Sequence, residues 1–147
     1  MPRTTTDRSV AHLPEWETTE KIIGSFFRTW NALGYGFLES VYRRAFAIEL
    51  GKAGLAVRQE VPIEAICRGQ SVGHFRLDLL VESRVVIEVK ASQVLGPTDK
   101  QQLLNYLTVG GFDVGLLLHF GPSPKFHRAV SPRIIADSEA SGIRQLP

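Results

Sequence analysis

Cysteine is almost missing from this sequence: Cys67 is the single one, so no internal disulfide can form, and no Cys/His group has the spacing of a zinc site. Redox chemistry is not indicated. No apolar run approaches the roughly 20 residues that span a bilayer, and the opening MPRTTTDRSV lacks the apolar stretch of a secretory signal. These absences predict a cytoplasmic protein with no membrane contact. Charge of one sign is also scarce. Seventeen Lys and Arg against fifteen Asp and Glu leave a net charge of +2, which permits contact with nucleic acid but does not argue for it. There is no internal repeat, low-complexity linker, recognition helix or aromatic RNA-binding signature.

What is present is the balance of an ordinary globular domain, 44% hydrophobic and 22% charged over 147 residues, a length that suits one core. The expected organisation is a disordered start at 1–12, one domain at 13–136 and a loose tail at 137–147. Trp16, Ile23, Phe26, Phe27, Trp30 and Leu33 recur at helical spacing and predict a first helix. Gly34 and Gly36 bracket Tyr35 in a break. A second helix is predicted from about Phe37 to Lys52, its apolar set being Leu38, Val41, Ala45 and Ile48, with Phe46 and Leu50 flanking.

From Leu55 the period changes to two. Val57, Val61, Ile63 and Ala65 face one way and Arg58, Glu60 and Glu64 the other, which reads as a strand. Pro62 places it at an edge or a bulge. Strands at about Val72 to Val81 and Val85 to Ala91 follow. The segment after Gly96-Pro97 predicts a helix, with Thr98 and Gln101 spaced as a capping box and Gly110-Gly111 as its stop. FDVGLLLHF then reads as a strand covered on both faces, parallel to the Val85 strand across a right-handed crossover. A short strand near Phe126 to Val130 is expected after it. The fold class is therefore α/β (α+β), a mixed sheet flanked by helices.

The hairpin around Glu82, Ser83 and Arg84 can be tested for register, because a slip of one residue would oppose apolar to polar side chains. Pairing Val81 with Val85 matches Leu79 with Ile87, Leu77 with Val89 and Phe75 with Ala91. The other face then carries Asp78 opposite Glu88, Arg76 opposite Lys90 and His74 opposite Ser92. Two opposed carboxylates repel unless something neutralises them. A divalent cation is one solution, with Lys90 orienting water or stabilising charge on a phosphoryl oxygen. The alternative is an exposed cross-strand ion-pair ladder among Asp78, Glu88, Arg76 and Lys90. Burial separates the two readings.

Asp78 followed after nine residues by Glu88-Val89-Lys90 resembles the D…ExK signature of the PD-(D/E)xK nuclease superfamily, with Leu77 in place of its proline. Gly36-Phe37-Leu38-Glu39-Ser40-Val41-Tyr42 resembles the motif of the GxxExxY protein family, a branch of that superfamily. The likeness runs from about 18 to 131 and takes in RQEVPI, FRLDLLVE and QLLNYL. It implies a restriction-endonuclease-like core, a Mg²⁺ or Mn²⁺ site and hydrolysis of phosphodiester bonds in DNA or RNA. On that resemblance the metal would be held by Asp78, Glu88 and the Val89 backbone carbonyl, with Glu39 as a further carboxylate. Lys90, Gln102 and Tyr106 would complete the catalytic set.

Each accessory residue has a plainer reading. Glu39 would pair with Arg43 four residues on. Gln102 and Tyr106, also four apart, would be a surface amide and a buried phenol rather than groups binding phosphate or water. Arg76 contacts a phosphate or pairs with Asp78 or Glu88. His74 and His119 read as strand-end or core histidines, and the aromatics of the first helix as core. Lys125, Arg128 and Arg133 suggest a modest basic rim for backbone phosphate. The competing functions are a catalytically silent nucleic-acid-binding or regulatory module on the same fold, and a protein-interaction scaffold or homodimer.

Overall fold

The computed structural model describes residues 14–133. The expected loose ends, 1–12 and 137–147, and residues 13 and 134–136 of the expected domain lie outside the described residues. The element order is α1 (Trp16–Leu33), α2 (Glu39–Lys52), β1 (Val57–Cys67), β2 (Gln70–Val81), β3 (Val85–Lys90), α3 (Pro97–Gly110), β4 (Val114–Phe120) and β5 (Pro124–Val130). The strands form one five-stranded sheet in chain order. Only β3 and β4 pair in parallel, and α3 is the crossover between them. The mixed sheet, its crossover helix and the edge position of the Pro62 strand thus agree with the pattern of apolar periods.

Helices cover both faces. Ile22 and Phe26 of α1 and Tyr42, Phe46 and Leu50 of α2 pack with Val85, Ile87, Val89 and the even-numbered apolar residues of β4. Leu103 and Leu107 of α3 pack with Leu80, Val86 and Leu117 on the opposite face. Complete burial of β4 accounts for its nearly continuous apolar run, and β3 is buried up to Lys90. Trp30 ties α1 to the end of β4 by donating its indole N–H to the Gly121 carbonyl at 3.0 Å.

Three local expectations are corrected. Helix α2 starts at Glu39 and buries Tyr42, Phe46 and Leu50, whereas Leu38, Val41 and Ile48 are exposed. Both stripes have helical spacing, and the one carrying the large rings goes inside. Helix α3 begins at Pro97 with Gly96 as N-cap, and Asp99, not Gln101, reaches back to the Gly96 N–H at 3.0 Å. The β2–β3 ladder holds only Leu79↔Ile87, Leu80↔Val86 and Val81↔Val85. The pairs expected beyond it, Leu77 with Val89, Phe75 with Ala91, Arg76 with Lys90 and His74 with Ser92, do not form.

The reason lies one strand away. Between Gln59↔Leu79 and Val61↔Leu77 the β1–β2 ladder skips the pair Glu60/Asp78, and Glu60 has a left-handed φ of 52°. Regular pleating stops there. Leu79 belongs to the cluster under α1 and α2, but Leu77, two residues away, belongs to the cluster under α3. Beyond Asp78, strand β2 leaves β3, and the sheet opens.

Candidate metal centre at the opening of the sheet

Asp78 stands where β2 and β3 part. Its backbone N–H, without a ladder partner in β1, donates to Glu88 Oε1 at 3.4 Å. Its carboxylate Oδ2 accepts the N–H of Val89 at 2.8 Å. The side chain of Asp78 thereby substitutes for a missing strand contact, and the two carboxyl groups are held side by side.

Glu88 is only 5% exposed. Burial first, and then the Asp78 charge, push its pKa up to about 8, because a charge is disfavoured both by low polarity and by a like neighbour. Neither carboxylate has a Lys or Arg ion pair among the described residues. Arg76 goes to Glu60 at 3.8 Å, as does Arg43 of α2 at 3.4 Å. The exposed ion-pair ladder is therefore not what the chain builds.

Lys90 is three-quarters buried and its ammonium lies 3.9 Å from Asp99 Oδ1. Asp99 thus serves the start of α3 and Lys90 together. On α3, Tyr106 has its phenol pKa raised by burial first and then by the Glu88 and Asp78 charges; its ring meets Phe75 with centroids 5.3 Å apart. Gln102 is half-buried one turn earlier, with no hydrogen bond to Asp78, Glu88 or Lys90 among the described residues. Glu39 is an exposed residue at the start of α2. Partial burial of its carboxyl, and then the Asp78 charge, raise its pKa, while Lys90 and Arg43 pull the other way.

The expectation that two helices close over one face holds only for α3. Helix α2, with Glu39 as its first residue, packs on the opposite face.

Among the described residues no group of three His, Cys, Asp or Glu side chains is arranged to hold a metal. The pair itself fits a hard divalent cation. Such ions are commonly held by one or two carboxylates, with water and phosphate oxygens completing the shell. Each carboxylate here spends one oxygen on a backbone N–H and leaves the other available.

Several residues fall elsewhere. His74 is exposed in the β1–β2 hairpin. His119 is buried in β4, its Nε2 against the Ser92 carbonyl. The basic rim does not form. Arg128 lies over the Trp16 ring and 3.7 Å from Glu20, Arg133 pairs with Asp113 at 2.7 Å, and Lys125 alone has no ion pair among the described residues. Sequence reasoning missed Asp99, Glu60 and the anchoring of Ser92 by His119. Asp99 was detectable as an acid at the third position after a Gly96-Pro97 helix start.

A mixed sheet that opens where a half-buried Asp78 meets a buried Glu88, with a lysine two residues on and a helix across one face, is a nuclease-like α/β fold. The chain belongs to the PD-(D/E)XK nuclease superfamily, whose sequence profile it matches over residues 16–130. Among solved structures it is similar to the crystal structure of SSO0001, at 20% identity, a TM-score of 0.50, and coverage of 93% of this chain and 71% of that one. At that identity the likeness concerns the fold alone. No curated protein matches the sequence. No helix among the described residues is long and apolar enough to cross a membrane.

Proposed function

We propose that the protein is a metal-dependent nuclease of the GxxExxY branch that hydrolyses phosphodiester bonds in DNA or RNA. The observation that carries this reading is the pairing of a half-buried Asp78 with a buried Glu88, side by side and without a cationic partner among the described residues. Membership of the nuclease superfamily supports it.

In this reading Asp78, Glu88 and the Val89 carbonyl would hold Mg²⁺ or Mn²⁺, with Glu39 as a further carboxylate. The cation would supply charge neutralisation at the phosphoryl oxygens and lower the pKa of a bound water. Lys90, held by Asp99, orients the attacking water and offsets the charge that grows on the phosphoryl oxygen. Tyr106 and Gln102 offer a phenol and an amide on the same helix face for phosphate or water.

The test is incubation of purified protein with single-stranded, duplex and branched DNA and with RNA, with Mg²⁺ or Mn²⁺ present. Cleavage that disappears in Asp78→Ala and Lys90→Ala supports the reading. No cleavage of any polymer, or equal cleavage by both variants, ends it.

The second reading is a catalytically silent binding or regulatory module. It is favoured by Glu88 itself, because a carboxyl with a pKa of about 8 stays neutral beside Asp78 at pH 7 and leaves the pair stable without metal. Nucleic-acid binding that depends on salt but not on metal would identify that module.

A further inference from the structure

Two arginines from different elements converge beside the opening of the sheet. Arg43 of α2 and Arg76 of β2 reach the same atom, Glu60 Oε1, at 3.4 and 3.8 Å. Glu60 lies in β1 between the pairs Gln59↔Leu79 and Val61↔Leu77, level with Asp78. Arg76 is two residues from Asp78 in the same strand, about 7 Å along it. Its neighbour Leu77 packs under α3, so Arg76 points the other way and flanks the acid pair from the α2 side.

The charges there do not balance. Two guanidinium groups share one carboxylate, and no other Asp or Glu is within ion-pair distance of either among the described residues. The separations are those of loose pairs, because a bidentate Arg–carboxylate contact closes to about 2.7–2.9 Å. Donors on both arginines are therefore left over.

The arrangement is also held in place on one side and free on the other. The Arg43 side chain is only 16% exposed, and its Nε is shielded with no acceptor among the described residues, so the Nη end is the part presented to Glu60. Helix α2 is fixed at this level by Tyr42, whose ring stacks on Phe120 of β4 at 4.5 Å. A guanidinium held before its ligand arrives loses little freedom on binding. The Glu60 side chain is 47% exposed and is free to turn into solvent.

Guanidinium groups suit carboxylate and phosphate, which offer two oxygens to parallel N–H groups. The neighbouring acid pair decides between them. An acidic peptide offers carboxylates to the arginines and brings only repulsion to Asp78. A nucleic-acid strand carries one phosphate per nucleotide, so one phosphate meets the arginines while the next meets the cation proposed for Asp78 and Glu88. Contacts of the first kind position a strand without reading its sequence.

We propose that Arg43 and Arg76 form a phosphate site for the strand position next to the one at Asp78 and Glu88, and that Glu60 is its resident anion, displaced when the strand binds. The inference rests on the nuclease reading for the polymer, but its test needs no cleavage.

The experiment is fluorescence anisotropy with dye-labelled single-stranded DNA and RNA of one sequence, over a salt series, using the full chain in EDTA so that nothing is cut. Arg76→Gln should weaken binding on the order of tenfold, the worth of one charged hydrogen bond. It should also lower the slope of log K against log salt by about 0.7. Glu60→Gln should act in the opposite sense and bind more tightly than the parent, because it frees both guanidinium groups at unchanged side-chain length. That gain should vanish in the Arg76→Gln background, which separates displacement from a general change of charge. Both single variants should melt with the parent, since exposed ion pairs contribute little to stability.

Binding of neither oligonucleotide, an unchanged slope in Arg76→Gln, or a gain from Glu60→Gln that persists in full without Arg76 overturns the proposal. So does polyglutamate of equal charge competing as well as unlabelled oligonucleotide. Melting with Mn²⁺ on the same preparation reports on Asp78 and Glu88 independently. A metal response with an unchanged slope removes the phosphate site alone, and a changed slope without a metal response removes the nuclease reading alone.

Discussion

The carboxylate of Asp78 occupies a place in the sheet that would otherwise belong to a backbone carbonyl: its Oδ2 accepts the N–H of Val89 at 2.8 Å. The residue therefore has a structural role as well as a charge, and two substitutions separate them.

Asp78→Asn keeps an oxygen for Val89 and removes the charge beside Glu88, so chemical denaturation should show stability equal to or above the parent. Asp78→Ala strands the Val89 N–H inside the protein, at a cost of about 1–3 kcal/mol. Equal stability of the two variants would show that the hydrogen bond is dispensable.

Glu88 makes stability depend on pH. In the folded chain it keeps its proton to about pH 8, against an ordinary value of 4.5, so between those values the folded state holds more protons than the unfolded one. The contribution is complete below the ordinary value and is lost as pH rises through 8, on the order of 1 kcal/mol per pH unit in that window. Denaturation of metal-free protein across pH 4 to 9 measures the slope, which Glu88→Gln should flatten.

Divalent metal should raise the melting temperature, because a cation that binds the folded pair alone shifts unfolding by mass action. At a hundredfold excess over Kd the gain is about 2.7 kcal/mol. Binding should expel the Glu88 proton, so the apparent Kd for Mn²⁺ should fall by up to about tenfold per pH unit until roughly pH 8. Asp78→Asn should lose the response, and an equal rise in that variant would place the metal elsewhere.

Asp99 holds the Gly96 N–H and faces Lys90. Asp99→Ala should cost about 1 kcal/mol through the start of α3, and Asp99→Asn much less. If Lys90 acts as proposed, both should reduce cleavage while only the first lowers the melting temperature. Full cleavage by Asp99→Asn would remove Asp99 from the positioning of Lys90.

The approach of Asp78 to Glu88 was legible because a tight turn at Glu82-Ser83-Arg84 joins two apolar triplets, and pairing Val81 with Val85 sets Leu79 opposite Ile87. The pairing ceased to be legible at Asp78. The reversal there arises from the left-handed conformation of Glu60, a residue type that gives no warning of it, and the nearby signal, Pro62, announces only an edge. The face of α2 was ambiguous for a different reason. Leu38, Val41 and Ile48 and Tyr42, Phe46 and Leu50 are two apolar stripes on one helix, and periodicity does not say which is covered. Gln102, Tyr106 and Glu39 were placed by family resemblance. The Asp78 charge adds to the upward pKa shifts of Tyr106 and Glu39, and Gln102 makes no hydrogen bond to the acid pair among the described residues.

Strand β1 forms one margin of the sheet over eleven residues, long enough to recruit a strand from another molecule. Pro62 withdraws one donor from that margin, and Arg58, Glu60 and Glu64 are exposed along it. Mixed charge and a missing donor are the means by which edge strands resist stacking into larger aggregates. Glu60, whose backbone opens the sheet at Asp78, and Pro62, two residues on, thus lie in one short stretch that carries both the site geometry and part of the edge's protection against fibre growth.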